Sequence, residues 1–301
     1  MADASPTLAD ALDRIRGEVD ALLDSLLAVP PDPRARLYEA MRYAAIGGGK
    51  RLRPLLVVAA CGLFHADRER ALRVGAAVEM VHVYSLVHDD LPAMDDDDLR
   101  RGKPSLHKAF DEATAILAGD SLHALAFELL ADEATHEDPF VRAELVAELA
   151  RAAGPAGMAG GQTMDLVAAE GEIDLDLAAV TRLQQLKTGA LIGFCLEAGA
   201  IMGRVPPEGR SRLRGYARDV GLAFQIADDL LDEEGFEEKI GKKVGKDRAR
   251  GKQTFVSLLG RERARRQAQL LIDQALAYLE RYGPEADLLR AIARFAVERD
   301  H

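Results

Sequence analysis

Only two cysteines occur in 301 residues, and each lies in an apolar segment, VVAACGLF around Cys61 and LIGFCLEA around Cys195. They read as small buried hydrophobes, which excludes a disulfide framework or a cysteine metal pair. Long hydrophobic runs are missing too. The longest charge-free stretches, residues 54–66 and 152–164, hold 13 residues each, short of the roughly 18 that span a bilayer. Basic charge is in deficit, with 39 Lys+Arg against 50 Asp+Glu and a net charge of −11. The long-range field therefore opposes nucleic acid and anionic membrane surfaces. The N-terminal MADASPTLADALDRIRGEVD leads with acids and has no apolar core, so no signal or transit peptide is expected and the chain reads as cytoplasmic. Strand signals are nearly absent, and no fixed-period repeat, low-complexity tract or domain-length linker interrupts the chain.

Ala, Leu, Glu and Arg recurring at three-to-four spacing predict an all-α protein, a single domain over 1–301. Helices are expected over 7–29, 34–46, 52–64, 67–91, 112–135, 139–153, 175–202, 208–234, 254–282 and 284–297. Two of them, around 73–87 and 188–202, are apolar on most of their circumference and belong inside a bundle. A polar side chain there is costly unless it is paired or faces a wet cavity. His82, His88, Asp89, Asp90, Lys187, Gln225, Asp228, Asp229 and Asp232 all lie in or at the ends of such helices.

Two carboxylate clusters result. In FQIADDLLD, Asp228 and Asp232 are four apart and share one helix face, where like charges repel unless a divalent cation sits between them. Oxygen-only ligands favour Mg²⁺. In HDDLPAMDDDDLRRGKP, Asp89 and Asp95 are six apart and about 120° out of register on a straight helix. Pro92 disfavours helix at Leu91, so the chain should loop there and carry Asp95 back toward Asp89. Basic residues flank both clusters. GGGKRLRP sets Lys50 and Arg53 three apart at a helix start, where backbone N–H groups favour anions. It is no Walker loop, because Ala44 and Arg51 occupy the required Gly and Ser/Thr positions. Arg100 and Arg101 follow the first acidic run, and Lys242 and Lys252 follow the second.

These segments, with AGD at 118–120, GGQTMDL at 160–166, LKTGALI at 186–192, GKKVGKD and GK, resemble the bacterial trans-type isoprenyl diphosphate synthases in family order. The resemblance implies a large helical bundle around a central active-site cavity, the isoprenoid synthase fold, generally a homodimer. It implies a prenyltransferase that condenses isopentenyl diphosphate with the allylic dimethylallyl and geranyl diphosphates, by Mg-assisted ionisation, condensation and proton elimination. Asp89, Asp95, Asp228 and Asp232 would hold three Mg²⁺, with Asp90, Asp229 and Asp247 supporting them. Arg100, Lys187 and Lys252, with Lys242 beside them, would grip the allylic diphosphate. Gly49, Lys50, Arg53, His82 and Arg101 would form the isopentenyl diphosphate site, and Thr188 and Gln225 would face the carbocation. Departing pyrophosphate is favoured as the base, with His88 a weak alternative.

Chain length follows from α-helical rise. Residues four and five before Asp89, Ser85 and Tyr84, lie about 6 and 7.5 Å below it. Small Ser85 leaves the near wall open, and the Tyr84 ring can close the floor. In the resembling family an aromatic there goes with a C15 product, so farnesyl diphosphate is expected and geranylgeranyl diphosphate is the alternative. A terpene cyclase would lack Lys50, Arg53 and His82 together. A non-catalytic regulatory subunit would have lost one acidic cluster.

Overall fold

The structure, a computed structural model, describes residues 7–169, 175–234 and 253–298. Lys242, Asp247 and Lys252 lie outside the described residues. Among the described residues the chain is all-α apart from one short ribbon. It opens with α1 (Leu8–Leu26), started by a capping box in which the Thr7 hydroxyl accepts the Asp10 N–H and the Asp10 carboxylate accepts the Thr7 N–H. Then come α2 (Ala35–Ala45), α3 (Leu52–Gly62) and α4 (Arg68–Asp89). A two-residue antiparallel ribbon, β1 (Leu99–Arg100) with β2 (Lys103–Pro104), leads through α5 (Leu106–Ala109) to α6 (Glu112–Ala131) and α7 (Pro139–Ala153). The remainder is α8 (Met158–Ala169), α9 (Leu177–Gln184), a π-turn (Gln185–Gly189), α10 (Ala190–Met202), α11 (Ser211–Glu234), α12 (Phe255–Leu259), α13 (Arg261–Tyr278) and α14 (Asp287–Glu298).

The helices that read as apolar all round are central. α4 buries Val74, Ala76, Ala77, Val78, Met80, Val81 and Val83, which point in every direction around its axis, and α10 buries every residue from Phe194 to Met202. α3 packs against both, α6 runs along α4, and α11 with α13 covers the far side. Asp67, Asp111 and Asp176 start their helices by accepting backbone N–H groups. By length and composition α6 is apolar enough to cross a membrane, yet one of its faces is packed in the core on α2, α4 and α7. Its other face leaves Ile116 and Leu117 exposed.

Several boundaries differ from the sequence reading. The helix expected over 254–282 breaks at Gly260, whose φ of +75° no helix accommodates, and its second part stops at Tyr278. The one expected over 175–202 begins at Leu177 and is interrupted by the π-turn. α8 was not expected at all, because Gly154, Pro155, Gly157, Gly160 and Gly161 read as punctuation. Both cysteines are free and buried, and burial pushes each thiol up to about 12, so both are inert.

Candidate functional site

α4 ends at Asp89, and the chain turns back after Pro92 as its chemistry requires. The Asp95 N–H donates to the Asp89 carbonyl at 2.8 Å and the Asp97 N–H to the Asp90 carbonyl at 3.2 Å. Asp89 lines a cavity of 410 Å³ together with Arg53, His82, Tyr84, Ser85, Lys187 and Thr188. Desolvation pushes the Asp89 carboxyl up to about 6; Lys187 and Arg100 oppose the shift, and Asp95 and Asp90 add to it. Arg100 forks onto buried Asp90, with Nε 3.0 Å from Oδ1 and 3.1 Å from Oδ2.

Lys187 and Thr188 sit on the π-turn. Lys187 Nζ donates to Asp165 Oδ2 at 2.6 Å, a partner on α8. The turn and α8 touch backbone to backbone, since a Cβ on Gly161 would lie 2.3 Å from the Lys187 nitrogen. That contact explains Gly161 of GGQTMDL, while a Cβ on Gly160 would lie 2.1 Å from the Pro155 carbonyl oxygen. The Thr188 hydroxyl is 3.5 Å from Gln225 Oε1; Gln225 Nε2 donates to Asp229 Oδ1 at 3.0 Å, and the Phe255 N–H donates to Asp229 Oδ2 at 3.0 Å. Hydrogen bonds thus tie the π-turn to α11 and α12. Asp228 and Asp232 stand one turn apart on α11, and the charge of Asp228 is felt at Arg53.

A second cavity of 220 Å³ takes in Gly49, Arg100 and Arg101, and Leu86 lines both cavities. The Arg101 guanidinium lies where a Cβ on Gly49 would be, 2.7 Å from its Cζ. Desolvation lowers Arg53 and Arg101, and the Nε of Arg53 is buried without a hydrogen-bond partner. An anion would satisfy it. Desolvation, then the charges of Arg53, Arg101 and Arg100, press His82 well below its ordinary range, so it is neutral. Lys50 Nζ stands 5.6 Å from the Phe295 ring centre on α14.

His88 also lines the 410 Å³ cavity, with one ring nitrogen engaged outside it. Its Nε2 is 3.2 Å from the Ile116 carbonyl, in a space that exists because residue 119 is glycine. Tyr84 stacks between His123, at 4.6 Å between ring centres, and His88, at 5.6 Å. Asp96 and Asp98 approach His107 within 4.8 Å, but both carboxylates are exposed and Asp98 pairs with Lys108 at 2.9 Å.

The all-oxygen set at the ends of α4 and α11 suits a hard divalent cation, and Asp89, raised chiefly by desolvation, is a buried carboxyl that a cation would hold ionised. Three residues, Asp165, Gln162 and Arg51, escaped the sequence reading. Asp165 holds Lys187, and Gln162 faces the larger cavity with both amide atoms buried and unpaired. Both lie in a motif already singled out, GGQTMDL. Arg51 is buried on Glu79 at 2.8 Å and on Asp20 at 2.6 Å, anchoring the glycine loop, a long-range pairing that no local pattern reveals.

The polyprenyl synthetase family profile matches residues 34–292. The chain is 42% identical to the farnesyl diphosphate synthase of Bacillus subtilis (strain 168), over 98% of this chain and 97% of that protein. It is 40% identical to the geranylgeranyl diphosphate synthase of Cyanophora paradoxa, over 91% of each. Among solved structures, an apo FPP/GFPP synthase from Zymomonas mobilis superposes with a TM-score of 0.88 at 60% identity, covering 96% of this chain and 98% of that one.

Proposed function

The chain belongs to the polyprenyl synthetase family, and from that premise we propose that it is the prenyltransferase that adds isopentenyl diphosphate to dimethylallyl and then geranyl diphosphate, releasing pyrophosphate and forming farnesyl diphosphate. The observation that carries this reading is the 410 Å³ cavity, whose lining combines acidic Asp89 and basic Arg53 and Lys187 with Tyr84 and Leu166.

Asp89, Asp95, Asp228 and Asp232 would hold Mg²⁺, three ions with diphosphate bound. When bound, the metal supplies positive charge that stabilises the departing pyrophosphate. Arg100 and Lys187 hold the allylic diphosphate, with Lys242 and Lys252 completing the grip. Asp90 and Asp165 aim those two cations by pairing with them. Gly49, Lys50, Arg53, His82 and Arg101 take the non-ionising diphosphate; neutral His82 offers a hydrogen bond without adding charge. Thr188 and Gln225 turn oxygen dipoles toward the carbocation, and the apolar walls keep water from it. The chain reads as a single domain acting in the cytoplasm as a homodimer, the last supported by the bare apolar face of α6.

The test is chromatography of products from dimethylallyl diphosphate and radiolabelled isopentenyl diphosphate. A C15 product is expected. C20 or C25 products overturn the chain length alone, and no condensation overturns the whole reading.

A further inference from the structure

A glutamine carboxamide carries two N–H donors and two acceptor lone pairs. In Gln162 both Nε2 and Oε1 are buried, and neither has a hydrogen-bond partner among the described residues. A buried polar group in that state opposes folding, and folded chains keep few of them. The amide is not lost in packed core. Met158, Ala159, Gln162, Thr163 and Leu166 follow helical spacing along one side of α8 and line the 410 Å³ cavity, with Gln162 in the middle of the row. Met158 and Leu166, one turn to either side, offer no hydrogen bond to match an amide. Polar side chains on the same wall are engaged elsewhere. The Thr163 hydroxyl donates to the Ala159 carbonyl at 3.1 Å, and Lys187 Nζ donates to Asp165 at 2.6 Å. Gln162 therefore shares a cavity with Asp89, Arg53 and Lys187 while its own polar atoms await a partner that the chain does not supply.

We propose that Gln162 is a further catalytic residue, whose carboxamide lies across the allylic C–O bond that breaks, with its N–H donated to the oxygen that leaves and its Oε1 turned to the carbon left behind. The proposal rests on the prenyltransferase reading. A prenyl tail is hydrocarbon and gives an amide nothing along its length, and the diphosphate beyond it gives acceptors alone. The bond between them presents an oxygen gaining negative charge beside a carbon gaining positive charge. An N–H and a C=O held side by side in one plane match that pair. As the bond breaks its electron pair passes to the diphosphate oxygen and the carbon becomes the allylic cation; Gln162 forms no covalent bond and gives up no proton. Both contacts strengthen as charge develops, so the amide favours the transition state over bound substrate.

The test sets stability against rate. Gln162→Met keeps the length and approximate volume of the side chain and deletes both polar atoms. Its Tm without substrate should rise by at least about 2 °C over the wild type, because an unsatisfied buried amide has been removed. Single-turnover condensation of dimethylallyl diphosphate with isopentenyl diphosphate, at saturating substrates and Mg²⁺, should slow at least about tenfold. The KM of isopentenyl diphosphate should stay within about twofold of the wild type, since the lost contacts belong to the ionising partner. A purely structural amide would instead lower Tm. Gln162→Glu keeps the shape and an acceptor but, ionised, lacks the donors, and should be slowed at least as much. A Tm that fails to rise in Gln162→Met, a wild-type rate in either variant, or a loss confined to the KM of isopentenyl diphosphate overturns the proposal. If Gln162→Met does not fold, the rate of Gln162→Glu decides it. No condensation by the wild-type chain overturns the prenyltransferase reading and this assignment with it; a condensing wild type with unslowed variants overturns this assignment alone.

Discussion

A carboxyl raised to about 6 by burial is costly to ionise, and Asp89 is in that state although Lys187 and Arg100 are near it. Removing it should therefore relieve a desolvation cost while taking away a proposed ligand of the cation. Asp89→Ala and Asp228→Ala are expected to keep the helical circular dichroism of the wild type and to lose at least about a hundredfold in turnover. Near-normal activity of either variant at saturating Mg²⁺ would rule out the metal assignment. His82 makes a separate prediction, for stability. Its folded-state pKa lies well below 6.5, so below about pH 6.5 the unfolded chain binds a proton that the folded chain refuses. Stability from this residue is complete above that pH and falls by about 1.4 kcal/mol per pH unit as the pH drops. His82→Gln should flatten the acid side of a plot of unfolding free energy against pH. Identical slopes in the two proteins would show that His82 is protonated in the folded state.

At the scale of elements, α4 carries both the proposed metal ligand Asp89 and the proposed floor residue Tyr84. Tyr84 stands five residues before Asp89, about 7.5 Å along the axis, and its ring is backed by His123, which itself packs on Phe127 at 5.0 Å. Such backing opposes movement of the ring for a longer tail. Tyr84→Ala should condense normally and give C20 or longer products by chromatography; an unchanged C15 product would remove Tyr84 as the stop. The return of Asp95 to Asp89 was legible because Pro92 leaves the backbone few alternatives. α8 was not. Its glycines are poor helix formers in isolation, and it is helical because Gly161 lets it lie directly on the π-turn, a tertiary gain that outweighs propensity. The π-turn was equally hidden, since one extra residue in a turn leaves no mark on the spacing of LKTGALI. Lys187 and Thr188 could be picked out from composition and resemblance, but Asp165, which aims Lys187, is visible only once the two elements are in contact.

For the whole molecule, the telling surface is the outward side of α6. Ile116 is 44% exposed and Leu117 56% exposed, on a helix whose most apolar window is only 39% buried. Burying such a face against a second copy removes apolar area from water, and stable interfaces bury roughly 1,200–2,000 Å² in total. The same stretch touches the chemistry from behind, because the Ile116 carbonyl holds His88, the neighbour of Asp89. Loss of the partner should then loosen the end of α4 as well as separate the subunits. The double variant Ile116→Glu, Leu117→Glu is expected to sediment as a monomer where the wild type sediments as a dimer, with condensation lowered several-fold at equal protein concentration. A wild-type monomer would overturn the dimer, and a variant that stays dimeric would place the interface elsewhere. A monomeric variant with full activity would show that each α4 is held by its own chain alone.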